Sequence, residues 1–325
     1  MCCSHSSSLI FSLVIFSYFL LEKASYEKWD NFLLLCVSGV SDFYAQFCRM
    51  IKMDTFVKVV IEPFLSLSLL FGVASCEMFE VHPYGAQVSG EKDLNAKHIR
   101  QIEQQLADKD TIRFAFISDT QRWYDETRSF VKAINVRRDI DFVIHRGDMS
   151  DFGATHEFVM QRYILLDLQV PWVALIGNHD CLGTGEDVYA EIFGSLNFYF
   201  VAGKTLFIAL NTNCMEYDYT EPVPDFNFLE DLLTHIPDSV ERTIVVMHVP
   251  PFDLEFNNNV AHVFQLYIRA FPGLQCCLYG HGHQYATNEL FHDGVLYHQT
   301  PSAKKRGYIE FTLTPDSYEQ HLVSF

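Results

Sequence analysis

An α/β layered sandwich is the fold class that this 325-residue sequence predicts, and three features predict it. From residue 111 onward, short apolar runs of strand length alternate with stretches of helical spacing. Toward the C-terminus that rhythm gives way to successive strand-like runs joined by tight turns. Each conspicuous polar motif also falls just past the C-terminal end of a strand-like run, the edge where ligands bind in open α/β sheets.

The first element lies at residues 53–77, MDTFVKVVIEPFLSLSLLFGVASCE. A short segment carrying Lys58 precedes an apolar stretch over 63–74, too short to span a bilayer comfortably. Small residues and a cysteine end it. Val73-Ala74-Ser75-Cys76 resembles the lipobox of bacterial lipoproteins, in which cleavage leaves a lipid-modified cysteine at the new N-terminus. An ordinary core helix with a buried Cys76 is the alternative, which Glu62 and Pro63 make less attractive. Because an export signal belongs at the N-terminus, residues 1–52 read as an over-extended gene start, with Met50 and Met53 as candidate starts. The rival signal anchor, 9–21, is short and has no basic residue before it. On the lipobox reading the protein is exported and lipid-anchored on the periplasmic or cell-surface face of a bacterial membrane.

Residues 76–110 read as a tether and a first helix. FEVHPYGAQVSGEKD has no clear period, whereas Ile99, Ile102 and Leu106 set helical spacing over 95–107. The body, 111–325, offers strands at 112–118, 141–145, 172–176, 205–211, 243–247 and 275–279. Helices are predicted near 125–137, 155–168, 186–193, 225–236 and 260–270. Runs at 285–291, 294–298, 307–314 and 318–325 follow, with His292-Asp293-Gly294 as one of the turns, so antiparallel pairing should close the fold.

A formal charge of −18 argues against nucleic acid bound through a basic surface. It leaves phosphate-bearing substrates open, since bound divalent metals invert the sign of a site. The nine cysteines form no disulfide framework. Cys181, Cys214, Cys276 and Cys277 read as free thiols in or beside apolar strands.

Five loops carry groups suited to divalent metals, namely hard oxygens and imidazoles. Asp119 follows the first strand, and Asp148 lies in Gly147-Asp148-Met149-Ser150-Asp151, where Gly147 permits close backbone approach. Asn178 and His179 lie in Gly177-Asn178-His179-Asp180, His248 follows Val245-Val246-Met247, and His281 and His283 alternate in Gly280-His281-Gly282-His283. Isolated histidines such as His145, His235, His262 and His298 are more simply hydrogen-bonded or surface residues.

The ordered series SDTQ, GDMSD, GNHD, MH and GHGH over 112–325 resembles the calcineurin-like metallophosphoesterases. The resemblance implies a layered sandwich of two mixed β-sheets flanked by helices, and two divalent ions; Mn²⁺ is the expected kind, ahead of Fe, Zn²⁺ or Mg²⁺. It implies that Asp119 and His283 hold the first ion, that Asn178, His248 and His281 hold the second, and that Asp148 bridges both. His179 would contact the phosphate and protonate the leaving oxygen, oriented by Asp180 or Asp151. The reaction implied is in-line attack on a phosphomonoester or phosphodiester by a hydroxide that the two metals activate.

One position departs from the pattern. Gln121 stands where the family places a histidine of the first metal. Its carboxamide oxygen is a weaker donor, better suited to Mn²⁺ or Mg²⁺ than to Zn²⁺. A working site with a labile first ion, a one-metal enzyme, and a decayed site kept for binding are the three readings, and the other intact ligands favour the first. Asp151-Phe152-Gly153 also replaces the Asp-Arg-Gly of the phosphoprotein phosphatases, which disfavours that role. Lys304-Lys305-Arg306 is either a solvated basic turn or a source of positive charge near the site; Trp123 and Tyr124 either wall a pocket or pack the core. The leading expectation is an exported phosphoesterase acting on a phosphate-ester substrate, with no protein partner inferred. The alternative is a non-catalytic surface lipoprotein that binds a ligand through the same fold.

Overall fold

A computed structural model describes residues 85–217, 220 and 222–325. The lipobox segment with Cys76, the preceding residues 1–75 and the start of the tether lie outside the described residues.

Two mixed sheets face each other. The first runs β11-β10-β1-β2-β3, built from β1 (Ile112–Ile117), β2 (Phe142–Arg146), β3 (Trp172–Leu175), β10 (Gly307–Leu313) and β11 (Tyr318–Ser324). The second runs β4-β5-β6-β7-β9-β8, from β4 (Phe198–Ala202), β5 (Thr205–Leu210), β6 (Arg242–Met247), β7 (Leu274–Tyr279), β8 (Ala286–Asn288) and β9 (Leu296–Gln299). β1, β2 and β3 are mutually parallel, and so are β5, β6, β7 and β9. Antiparallel pairs close each sheet, β1-β10-β11 in one and β4-β5 and β8-β9 in the other.

The near-continuous apolar runs of these strands follow from burial on both faces. Phe114 and Phe116 of β1 point into the inter-sheet core with Phe207, Ile244, Val246 and Leu278, while Ala115 and Ile117 face the outer helices. The same alternation divides β6: Val245 and Met247 pack outward against Leu229, Phe264 and Ile268. The helices supplying those outer layers are α2 (Tyr124–Asn135), α3 (Thr155–Leu165) and α4 (Gly185–Phe193) on the first sheet. α5 (Phe226–Thr234) and α6 (Ala261–Arg269) cover the second.

The helix expected over 95–107 forms as α1 (Leu94–Leu106), and it belongs to the body. Leu94, Ile102 and Leu106 are buried, and the buried Asn95 side chain exchanges two 2.8 Å hydrogen bonds with the Ala174 backbone of β3. Ahead of it the extended segment is tied down by the buried Arg162 of α3, which donates to the Ser89 and Glu91 carbonyls.

Three elements differ from expectation. β4 was not expected, because Tyr199 and Val201 lie between the buried Phe198, Phe200 and Ala202 and erase the polar half of a strand's alternation. The run 285–291 contracts to the three-residue β8, whose Thr287 and Asn288 are exposed. β9 pairs antiparallel with β8 as the turn suggests, but lies parallel to β7 on its other side.

Candidate metal centre and its rim

The five motif loops leave the C-terminal ends of β1, β2 and β3 in one sheet and of β6 and β7 in the other, so both parallel edges open on one place. Backbone bonds lock the loops together. Asp119 N donates to the Gly147 carbonyl at 3.1 Å, and Thr120 N and Gln121 N both donate to the Asp148 carbonyl, at 2.9 and 3.0 Å. Gly147 (φ +84°) could carry no side chain, since a Cβ there would stand 2.5 Å from the Gly177 nitrogen. Four candidate ligands, Asp119, Asp148, His281 and His283, have φ between +56° and +63°. Such left-handed backbone is uncommon outside glycine and concentrates at functional sites, where the surroundings hold it in place.

Ligand atoms of Asp119, Asp148 and His248 lie within 4.8 Å of one another, and all three residues are buried. Asp148 is central: its Oδ2 lies 3.3 Å from both Gln121 Nε2 and His248 Nε2. Its Oδ1 accepts the His179 backbone N–H at 3.1 Å. Asn178 Oδ1 lies 3.1 Å from His248 Nε2 and 3.2 Å from His281 Nδ1. His283 Nε2 stands 3.0 Å from Asp119 Oδ1. All seven candidate ligands therefore converge, in two overlapping groups that meet at Asp148.

The donor set fits divalent cations. It consists of hard oxygens and imidazoles, and two of its buried oxygens, Asp119 Oδ2 and Gln121 Oε1, have no hydrogen-bond partner. A buried acceptor left bare is costly, and a cation satisfies it. Gln121 is 6% exposed and reaches Asp148. A half-turn of its carboxamide exchanges the nitrogen and oxygen ends, turning the bare oxygen toward Asp148. The field points the same way. Burial disfavours a charged His248 imidazole, but Asp148 and then Asp119 outweigh it and raise it to about 9.

His179 is half-exposed beside this cluster, and its Nδ1 lies 2.9 Å from the Asp151 carbonyl oxygen and 3.9 Å from the Asp151 carboxylate. Asp151 thus touches His179. Its own carboxylate pairs with Arg122 at 2.5 Å, and the α3 N-terminus is served instead by Glu157, which accepts from the Phe152 and Ala154 amides. Asp180 plays a different part. Its carboxylate accepts from the Met149, Ser150 and Gly177 amides and the Ser150 hydroxyl, which clamps the second loop to the third without reaching the His179 ring.

Sequence reasoning missed several supports. Asp253 lies 3.4 Å from His281 Nε2 and fixes that ring from the far side of Asn178; its place in the loop after β6, five residues beyond His248, was the available signal. The Arg146 carbonyl lies 2.6 Å from His248 Nδ1, leaving Nε2 to face Asp148. Arg122 was overlooked because a single arginine after a motif has no spacing to mark it. The basic turn is seated on the site loop: Ala303 N donates to the Ser118 and Asp119 carbonyls, and Lys304 Nζ lies 5.0 Å from the Trp123 ring centroid. Trp123 and Tyr124 pack against the core, and His145 and His298 are hydrogen-bonded interior residues as expected.

A sandwich with a buried carboxylate–imidazole cluster at its parallel strand edges defines a metal-binding phosphoesterase class. Residues 112–285 match the calcineurin-like phosphoesterase family, and the chain belongs to it. A 3',5'-cyclic-nucleotide phosphodiesterase of Nostoc sp. is 27% identical over 172 residues, covering 49% of this chain and 63% of that protein. The chain thus spans less than two thirds of that relative. Among solved structures, GAP50, the anchor in the inner membrane complex of Plasmodium, aligns with a TM-score of 0.52 at 14% identity, over 66% of this chain and 85% of that one. A purple acid phosphatase from yellow lupin aligns with a TM-score of 0.49 at 13% identity, over 66% and 51%.

Proposed function

We propose that this chain hydrolyses a phosphoester, using two divalent ions of which Mn²⁺ is the favoured kind. The convergence of Asp119, Asp148 and His248, with a buried Asp119 oxygen that nothing else satisfies, carries the reading. Asp119, Gln121 and His283 would hold one ion and Asn178, His248 and His281 the other. Asp148 would serve both, as its place between Gln121 and His248 supports. Bound metal would supply Lewis-acid activation of the attacking water and neutralise charge on the phosphoryl oxygens.

The chain's own residues provide the rest. Asp253 and the Arg146 carbonyl orient the His281 and His248 rings, and the Asp180 clamp holds the second and third loops in register. His179, with Nδ1 held at the Asp151 carbonyl, keeps Nε2 free to give a proton to the leaving oxygen. The Nostoc relative makes phosphodiesters the first substrates to try. With added Mn²⁺ the protein should turn over bis(p-nitrophenyl) phosphate or p-nitrophenyl phosphate, and Asp148→Ala should abolish that activity. Undiminished turnover in the variant would refute the assignment, and a wild type inert on a broad ester panel would favour ligand binding without catalysis.

The same reading extends to location. We infer a lipid anchor at Cys76 from the lipobox-like run Val73-Ala74-Ser75-Cys76. Among the described residues no helix is long and apolar enough to cross a membrane. Mass spectrometry of the membrane fraction from a bacterial host should find a chain cleaved before Cys76 and carrying lipid; a peptide running through an unmodified residue 76 rules it out.

A further inference from the structure

Arg122 follows the odd ligand Gln121 directly, with its backbone in the left-handed region at φ +66°. Its guanidinium is not spent on the fold. The side chain is 65% exposed, and one nitrogen, Nη2, pairs with Asp151 Oδ1 at 2.5 Å. The remaining N–H groups of a five-donor guanidinium are left for solvent or a ligand. Phe152, itself 57% exposed, lies against the same group, its ring centroid 6.0 Å from Arg122 Cζ. The loop under Phe152 is firm, because Glu157 accepts the Phe152 amide at 3.0 Å.

The direction in which this pair faces matters. Asp151 joins Arg122 on one side to His179 Nδ1 on the other, through its carboxylate and its backbone carbonyl. On the proposed reaction His179 serves the leaving oxygen, so the Arg122–Phe152 rim, joined to His179 through Asp151, belongs to the leaving-group side. An exposed cation beside an exposed flat ring suits an aromatic group bearing negative charge. A second cation, Lys304 on the neighbouring turn, lies over Trp123, the residue after Arg122.

We infer that Arg122 is a specificity-determining residue that selects phosphoesters whose leaving group carries a second negative charge, with Phe152 as the flat support for that group. The inference rests on the phosphoesterase reading and names its substrate class. Arg122 keeps its bond to the Asp151 carboxylate while a second nitrogen binds the anion, so recognition and the orientation of His179 share one residue, Asp151.

The test compares kcat/KM, with Mn²⁺ at low ionic strength, for the 4-carboxyphenyl and 4-carbamoylphenyl esters of phosphate and of methyl phosphate. Each pair matches in shape and differs in leaving-group charge. The wild type should prefer the carboxylate member about 10-fold, the scale of one partly exposed charged hydrogen bond. Arg122→Gln should bring that ratio to about one, Arg122→Lys should keep part of it, and Arg122→Glu should invert it, whichever way the absolute rates move. A ratio near one in the wild type, or a preference that survives Arg122→Gln, overturns the inference and leaves the phosphoesterase reading standing. Failure to turn over any of these esters overturns that reading and this inference with it.

Discussion

Gln121 is the residue at which family pattern and local chemistry disagree, and its surroundings say how the disagreement resolves. A surface substitution would leave the side chain in water; this one is buried, beside Asp148, with an oxygen that meets no donor. That environment supports the proposal that Gln121 is a ligand with a weakened donor. Replacing the carboxamide oxygen with imidazole nitrogen should tighten the first ion, because nitrogen is the better donor to most transition metals. For Gln121→His we predict a gain on the order of 10-fold in Mn²⁺ affinity, about 1.4 kcal/mol. Mn²⁺ titrations of activity and of bound metal in both forms would show it, and superimposable curves would mean that residue 121 does not touch metal. The seven ligand candidates were legible because their loops arrive in a fixed order. Asp253, Arg122 and the Arg146 carbonyl were not, since one acid, one arginine and a backbone oxygen carry no pattern until folding places them.

Elements position these residues through a shared edge. Three parallel strands of one sheet and two of the other end together, and the contact between the Arg146 carbonyl at the end of β2 and His248 Nδ1 just past β6 ties the sheets across that edge. Doubly buried strands were easy to read, because apolar runs such as 243–247 sit between Gly-, Pro- and Asp-containing breaks. β4 escaped because it presents apolar residues on both faces in five positions, a pattern that does not distinguish strand from buried helix. β8 was overestimated because its flanks, Tyr285 and Leu290, look like strand residues while only three positions pair. The parallel partner of β9 was out of reach, since pairing direction depends on where the chain returns after a long connection.

At the scale of the whole molecule, the charge of −18 and the chemistry of the site are compatible. A negative surface repels free phosphate esters, so on the proposed reading the attraction that captures substrate would be local, supplied by bound metal and by the cations Arg122 and Lys304. The proposed chemistry depends on one claim, that the paired strand edges build a centre for two ions with Asp148 common to them. Equilibrium dialysis of the purified protein against Mn²⁺, with metal counted per chain, tests that claim most directly. The account predicts two ions per wild-type chain and fewer than two, with weakened binding of any that remain, in Asp148→Ala. A wild type that retains no Mn²⁺, or a variant that binds the same number with the same affinity, would contradict it.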